Sequence, residues 1–313
     1  MYARLPTVSD ARLSFIHEDD VWIVDDRRGA SPVARRLTSD GGSTHVRFSP
    51  DGSLLAVANE SSGTAELYVM RVGADGDGAM TQLTFTGEDC VPVGWCASPS
   101  AAMPGGVPND VHSKGESLWL VFATCAEQAL GVTTLFAVCA VGPGSGGGDA
   151  TPLGLGTADA IGWLGDSLLV GRHTHDAHVV GEWSGYRGGA YGQLWLAISG
   201  EDGGAGDFVP VAMPDAHSDL HCASPFVAKG RVYFVAEIDG AVPNGAGLAC
   251  ANLCSVALDT RSGDASDLRR HTSHREWGVR NPQCDGACVV YQCGGELWQL
   301  ELNAAALPPR PGR

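Results

Sequence analysis

The sequence contains no run of about 18 apolar residues, the length that a membrane-crossing helix requires. Met1 to Asp10 has neither the basic start nor the apolar stretch of a secretory leader, and the two absences together predict a cytoplasmic protein. Positive charge is also scarce: 20 Lys and Arg stand against 36 Asp and Glu, for a net charge of -16 at pH 7. Such a chain repels phosphate backbones and anionic lipid headgroups, which excludes nucleic acid and membrane surfaces as partners. Disorder is excluded by the 44% of residues that are hydrophobic.

Catalytic signatures are missing too. A serine hydrolase of the nucleophile-elbow kind needs Gly-x-Ser-x-Gly, and none occurs; Gly181-Glu182-Trp183-Ser184-Gly185 has the wrong spacing. No Gly-rich loop stands between a strand and a helix, so nucleotide binding has no support. The expectation is a chain with no catalytic residues and no cofactor of its own.

What the sequence does have is 43 Gly and 17 Pro with only 18% charged residues, a balance that suits short strands and turns better than helices. Turn signals recur at Asp10-Ala11, Asp51-Gly52, Lys114-Gly115, Gly165-Asp166, Lys229-Gly230 and Asp285-Gly286. Each opens an apolar run: Arg12 to Ile16, Ser53 to Ala58, Ser117 to Ala123, Ser167 to Gly171, Arg231 to Ala236 and Ala287 to Tyr291. These read as the second strands of a repeating unit. A third strand follows at Val21-Trp22, Leu67-Tyr68, Leu135-Phe136, Leu194-Trp195, Leu253-Cys254 and Leu297-Trp298. Fourth strands are expected at Arg36-Leu37-Thr38, Gln82-Leu83-Thr84, Pro152-Leu153, Pro210-Val211 and Arg270-His271-Thr272, and the sixth unit shows none. Val46 to Pro50 and Ala160 to Leu164 read as first strands.

A repeat of about 40 to 65 residues, carrying up to four strands, matches the blade of a β-propeller, whose sheet buries its faces only against its neighbours. The fold expected is therefore all-β: a six-bladed β-propeller with four-stranded antiparallel blades over residues 1–303, its last blade incomplete. Residues 304–313 read as a Pro-containing tail or the start of a linker. The stretches Ala97 to Gly115, Val141 to Ala150, Ser199 to Gly206 and Asp239 to Gly247 read as inserted surface loops.

Three groups of residues could carry chemistry. His173, His175 and His178 are close enough to share a metal with Asp176, or simply form an exposed polar loop. Cys250, Cys254, Cys284, Cys288 and Cys293 resemble a thiolate cluster, but two strand residues four apart stand roughly 13 Å from each other, which favours separate buried, reduced thiols. No metal site is expected from either group. The segment Trp183-Ser184-Gly185-Tyr186-Arg187-Gly188-Gly189 offers two aromatics and a cation between glycines, and Trp183, Tyr186 and Arg187 are the candidate binding residues.

Read in order, Leu5-Pro6-Thr7, Glu18 to Trp22, Ala34 to Ser39, His45 to Gly52, Ala65 to Tyr68, Gly185 to Gly189 with Leu194-Trp195, Ser224-Pro225, Val232 to Phe234 and Leu268 to Ser273 resemble the N-terminal six-bladed propeller of the tricorn protease family. The resemblance covers nearly the whole chain. It implies a non-catalytic module of a cytosolic, hexameric serine peptidase, one that gates or channels peptides to a catalytic region outside this chain. Its implied partners are peptides, the remaining domains of such a protease and further copies of itself. The paired arginines with which the family holds a substrate carboxylate would fall near Gly87-Glu88-Asp89-Cys90, where this sequence has acids. The alternative is a free-standing, TolB-like interaction propeller.

Overall fold

The computed structural model describes residues 2–73, 78–103, 117–128, 131–142, 145, 149–174, 191–198, 207–238, 250–302 and 310–311. These form six antiparallel sheets, each made of strands consecutive in the chain. Blade 1 comprises β1 (Arg4–Ser9), β2 (Arg12–His17), β3 (Asp20–Val24) and β4 (Ala34–Arg36). Blade 2 comprises β5 (Ser43–Phe48), β6 (Leu54–Asn59), β7 (Glu66–Arg71) and β8 (Met80–Gln82). Blade 3 comprises β9 (Cys90–Cys96), β10 (Leu118–Thr124), β11 (Thr134–Val141) and β12 (Thr151–Pro152). In blade 4 the strands are β13 (Ala160–Leu164), β14 (Ser167–Arg172), β15 (Gln193–Ala197) and β16 (Phe208–Pro210). Blade 5 holds β17 (Ala223–Ala228), β18 (Arg231–Ala236), β19 (Asn252–Leu258) and β20 (Ala265–Arg270). Blade 6 has three full strands, β21 (Arg280–Cys284), β22 (Cys288–Cys293) and β23 (Glu296–Glu301). Among the described residues its outer position holds the two residues of β24 (Arg310–Pro311), paired to Trp298 and Gln299.

The six-bladed reading holds, and each predicted second strand matches a β-strand to within a residue or two. The second strands are the most buried because both faces meet neighbouring blades: every residue of β6 and of β22 is buried. Fourth strands end one or two residues earlier than the sequence suggests. Leu37, Leu83 and Leu153 follow β4, β8 and β12, and their backbone N–H groups bond the carbonyls of Val21, Leu67 and Leu135. The Thr that follows in blades 1, 2 and 5 serves as a cap for the third strand.

That cap is a recurring device. Thr38 Oγ1 accepts the Val21 N–H and donates to the buried Asp20 carboxylate at 2.8 Å. Thr84 does the same between the Leu67 N–H and Glu66, and Thr272 between the Leu253 N–H and Asn252. Each cap satisfies a backbone donor and a buried side chain at once, and each of its hydrogen bonds contributes about 1 kcal/mol.

Among the described residues the ring closes without a shared sheet, since no strand of blade 1 joins blade 6. Side chains close it instead. Gln292 Oε1 accepts the Leu5 N–H at 2.7 Å and the Asn281 amide at 2.9 Å, Asp285 accepts the Asp10 N–H, and Arg27 reaches Gln299 and Glu301.

The start of the first predicted insert is structured. Residues Pro99–Ala102 form a 3-10 turn capped by Ser98, with Ala101 and Ala102 buried. No helix among the described residues is long and apolar enough to cross a membrane.

Candidate functional site

The first strand of every blade is the innermost one, and β1, β5, β9, β13, β17 and β21 touch their neighbours in turn around the axis. Between them, on the propeller axis, lies a cavity of about 130 Å³, called the axial channel below, lined by residues from all six strands. Blades 1, 5 and 6 each supply an X-Pro pair to its wall: Leu5-Pro6, Ser224-Pro225 and Asn281-Pro282. In all three the residue before proline has a positive φ (51, 48 and 48°), and the strand register shifts at that point. A non-glycine residue in this region stores on the order of 1–3 kcal/mol. Bonds across the seams compensate, from the Leu5 N–H to Gln292 and from the Ser224 N–H to the Thr174 carbonyl at 2.7 Å. The bulges therefore turn backbone donors toward the next blade and aim the prolines at the axis.

Two charged groups line the channel. Asp159, at the start of blade 4, is buried, and its carboxylate accepts the Thr174 N–H at 2.7 Å and the Thr174 hydroxyl at 2.5 Å. Arg47, on β5, is partly buried and reaches across to blade 3, where its Nε donates to the Pro92 carbonyl at 3.2 Å. Desolvation holds the Arg47 guanidinium down to about 10, which leaves it charged at neutral pH. No ion pair involves Arg47 among the described residues.

Close approach between inner strands depends on missing side chains. A Cβ on Gly94 would stand 3.2 Å from Ile161 Cγ2, and one on Gly162 would stand 3.2 Å from Val227 Cγ2. Two glycines thus let blade 3 approach blade 4 and blade 4 approach blade 5.

The residues singled out in the sequence fare differently. Trp183, Tyr186 and Arg187 lie outside the described residues, as do His175, Asp176 and His178. His173 is exposed, with a φ of 57°, immediately before the channel-lining Thr174. Among the described residues no group of His, Cys, Asp and Glu could hold a metal ion. All ten cysteines are free thiols. Burial pushes Cys96, Cys284 and Cys288 up to about 12 and Cys293 to about 11, so they behave as small apolar groups. Sequence reasoning missed Arg47 and Gln292. Arg47 sits in a run of apparently ordinary strand residues, and only ring closure shows which side of that strand faces the axis.

Comparison with known proteins agrees with this architecture. The family model for the tricorn protease N-terminal beta propeller domain matches residues 1–306. A tricorn protease homolog of Streptomyces coelicolor, homolog 2, is 32% identical over 99% of this chain and 22% of its own length. The tricorn protease of Thermoplasma acidophilum is 27% identical over 94% of the chain and 23% of its own length. The chain therefore spans less than a quarter of these relatives. Among solved structures, the crystal structure of the tricorn protease superposes with a TM-score of 0.72 at 23% identity, covering 100% of this chain and 26% of that one. The β-propeller domain of the Trilobed protease from Pyrococcus furiosus, described as having an open velcro topology, gives a TM-score of 0.52 at 13% identity over 100% of this chain and 96% of that one. With its six contiguous sheets set in a ring, the chain belongs to the family of the tricorn protease N-terminal β-propeller domain.

Proposed function

We propose that this propeller is a non-catalytic module of a cytoplasmic tricorn-like serine peptidase, and that peptides pass along or lodge in its axial channel on the way to or from a catalytic region. The observation that carries this reading is the channel itself, walled by all six inner strands, in a chain whose family membership spans residues 1–306. Prolines and aliphatic side chains share the wall with His45, Arg47, Asp159, Asn281 and Gln283, a mixed surface that could accept both the backbone and the side chains of an extended peptide. The alternative of a free-standing TolB-like scaffold gains only fold likeness, at 14% identity.

The test is the binding of unstructured peptides of five to fifteen residues to the purified chain, followed by nuclear magnetic resonance. Shifts concentrated at Leu5, His45, Val46, Ser224 and Asn281 are expected. Shifts confined to outer strands, or none, would overturn the reading. The same preparation is expected to hydrolyse none of these peptides.

A further inference from the structure

A second cavity, of about 360 Å³, lies at the seam where blade 6 meets blade 1. Tyr2, ahead of β1, and Trp277, ahead of β21, line it together with the Gly294-Gly295 turn between β22 and β23. The remaining side chains of the lining are those of Arg280, Gln292 and Cys293. Among the described residues five large hydrophobic side chains are exposed, and two of them, Tyr2 at 60% and Trp277 at 65%, stand at this one place. The turn is shaped to receive both. Gly294 and Gly295 have φ of 62 and 82°; a Cβ on Gly294 would stand 3.0 Å from the Trp277 ring, and one on Gly295 would stand 3.6 Å from that of Tyr2. Adjacent glycines thus each meet one ring, which makes the two aromatics neighbours on the wall of a single cavity.

What the lining offers a ligand is hydrogen-bond donors. Gln292 is 5% exposed, and its amide orientation is fixed, because Oε1 accepts the Leu5 N–H and the Asn281 amide. Nε2 is therefore the donor end, and no acceptor for it is present among the described residues. A buried N–H without an acceptor is a standing cost that a carbonyl entering the cavity removes. Three carbonyls of the lining are meanwhile taken: His17 Nδ1 donates to that of Tyr2 at 3.1 Å, the Cys293 thiol to that of Trp277 at 3.2 Å, and Trp298 Nε1 to that of Cys293 at 3.2 Å. The Trp277 indole and the Arg280 guanidinium can only donate, and Arg280 already has a partner. Of the lining side chains with a polar atom to spare, only the Tyr2 hydroxyl can also accept.

A fitting ligand brings carbonyl oxygens, few N–H groups and a compact apolar ring for the two aromatics. Proline meets all three requirements: the carbonyl before it accepts, its own nitrogen carries no hydrogen, and its ring packs on aromatic faces. An ordinary peptide segment would bring N–H groups that this lining is poorly equipped to receive. An anionic ligand is disfavoured by Glu276 and Glu296, both exposed and next in sequence to Trp277 and Gly295. We infer that the pocket between blades 6 and 1 docks a proline-rich segment of a partner protein, with a proline ring held by Tyr2 and Trp277 and a carbonyl bound by Gln292 Nε2. This inference stands apart from the channel reading above.

The experiment uses the full chain and two probes, acetylated and amidated hexaproline and the same peptide with Ala at every position, titrated by nuclear magnetic resonance. Hexaproline should shift the Trp277 indole signal and bind about tenfold or more tightly than the Ala peptide. Trp277→Ala, at an exposed position, should weaken hexaproline binding about tenfold. Gln292→Glu keeps an acceptor for Leu5 and Asn281 but removes the donor, and should weaken binding by a similar factor. A melting curve controls for folding, and if Gln292→Glu fails to fold, Trp277→Ala and Tyr2→Ala decide. Equal binding of the two probes would overturn the assignment to proline. Undiminished binding in Trp277→Ala would overturn the pocket, and undiminished binding in a folded Gln292→Glu would overturn the role of its amide. This chain carries prolines of its own at Pro308, Pro309 and Pro311. Hexaproline binding that appears only in a Pro308→Ser, Pro309→Ser variant would give the pocket to that tail and overturn the partner, and binding in neither chain would overturn the inference as a whole.

Discussion

Blades 1, 2 and 5 and blades 3 and 4 solve the same packing problem in different ways. In the first group a threonine beyond the fourth strand caps the third strand and binds Asp20, Glu66 or Asn252 at its start. Backbone bonds fix the equivalent positions in the second group. Leu153 bonds the Leu135 carbonyl and Val211 the Leu194 carbonyl, as Leu37 bonds that of Val21. The residues in the place of the capping threonine are therefore Gly154 and Ala212, and the partners in the place of Asp20 are Thr134 and Gln193. Gly154 has a φ of 63°, a backbone conformation that would strain a threonine there. The buried Thr134 hydroxyl consequently has no hydrogen-bond partner among the described residues, and neither do Trp95 Nε1, Trp163 Nε1 and Arg172 Nε.

Aromatic bulk takes over where the cap is missing. Trp119, Trp163, Trp195 and Phe208 pack against the core shared by blades 3 and 4, and the Arg172 guanidinium stacks 4.0 Å above the Trp195 ring. The lesson is that a propeller blade tolerates loss of a polar device when its seam can be filled by apolar area, because packing is not directional and hydrogen bonding is.

Four predictions test this contrast. The largest effect should come from Asn252→Leu, which removes four hydrogen bonds, two donated to the Cys250 and His274 carbonyls and two accepted from Thr272 and the His274 N–H. Urea unfolding should show a loss of about 4 kcal/mol, and a loss under 1 would break the contrast. Thr84→Val should cost about 2 kcal/mol in the same assay, since it uncaps the Leu67 N–H and leaves the buried Glu66 without one of its donors.

A third prediction concerns pH and blade 5. Desolvation lowers the pKa of His271, with Arg231 and Arg269 adding to it, and desolvation lowers that of His274, both from the ordinary 6.5. The unfolded chain takes up protons below pH 6.5 that the folded state resists, so stability is lost as pH falls through that value. The urea midpoint should therefore drop from pH 7.5 to pH 5.5, and by less in a His271→Gln, His274→Gln double variant. Smallest of all, Thr134→Val in the uncapped blade 3 should be neutral or stabilising by up to about 1 kcal/mol, because it removes an orphaned hydroxyl. A cost like that of Thr84→Val would show that blade 3 has a cap after all.

Much of this was legible in one dimension. Asp51-Gly52, Lys229-Gly230 and their counterparts announce hairpins through their own backbone preferences, and alternating runs such as Leu194-Trp195 announce half-buried strands. The capping threonines were visible too, but Leu37-Thr38 and Leu83-Thr84 look like strand because a leucine entering a core has the same composition as a strand residue. Their role becomes evident only when the third strand lies alongside. The candidate site was less legible: Trp183, Tyr186 and Arg187 drew notice through unusual composition, whereas Arg47 has unremarkable neighbours.

Local order, repeat number and the absence of catalytic signatures were thus determined by the sequence itself, since turns and strand periodicity are short-range properties. Which residues face the axis, how blade 6 meets blade 1 through Gln292, and that Arg47 and Asp159 line the same axial cavity were decided only by the tertiary structure. The physical reason is that these depend on closing a ring of six sheets, which brings together residues as far apart as Leu5 and Gln292 and sets the dielectric around each charge.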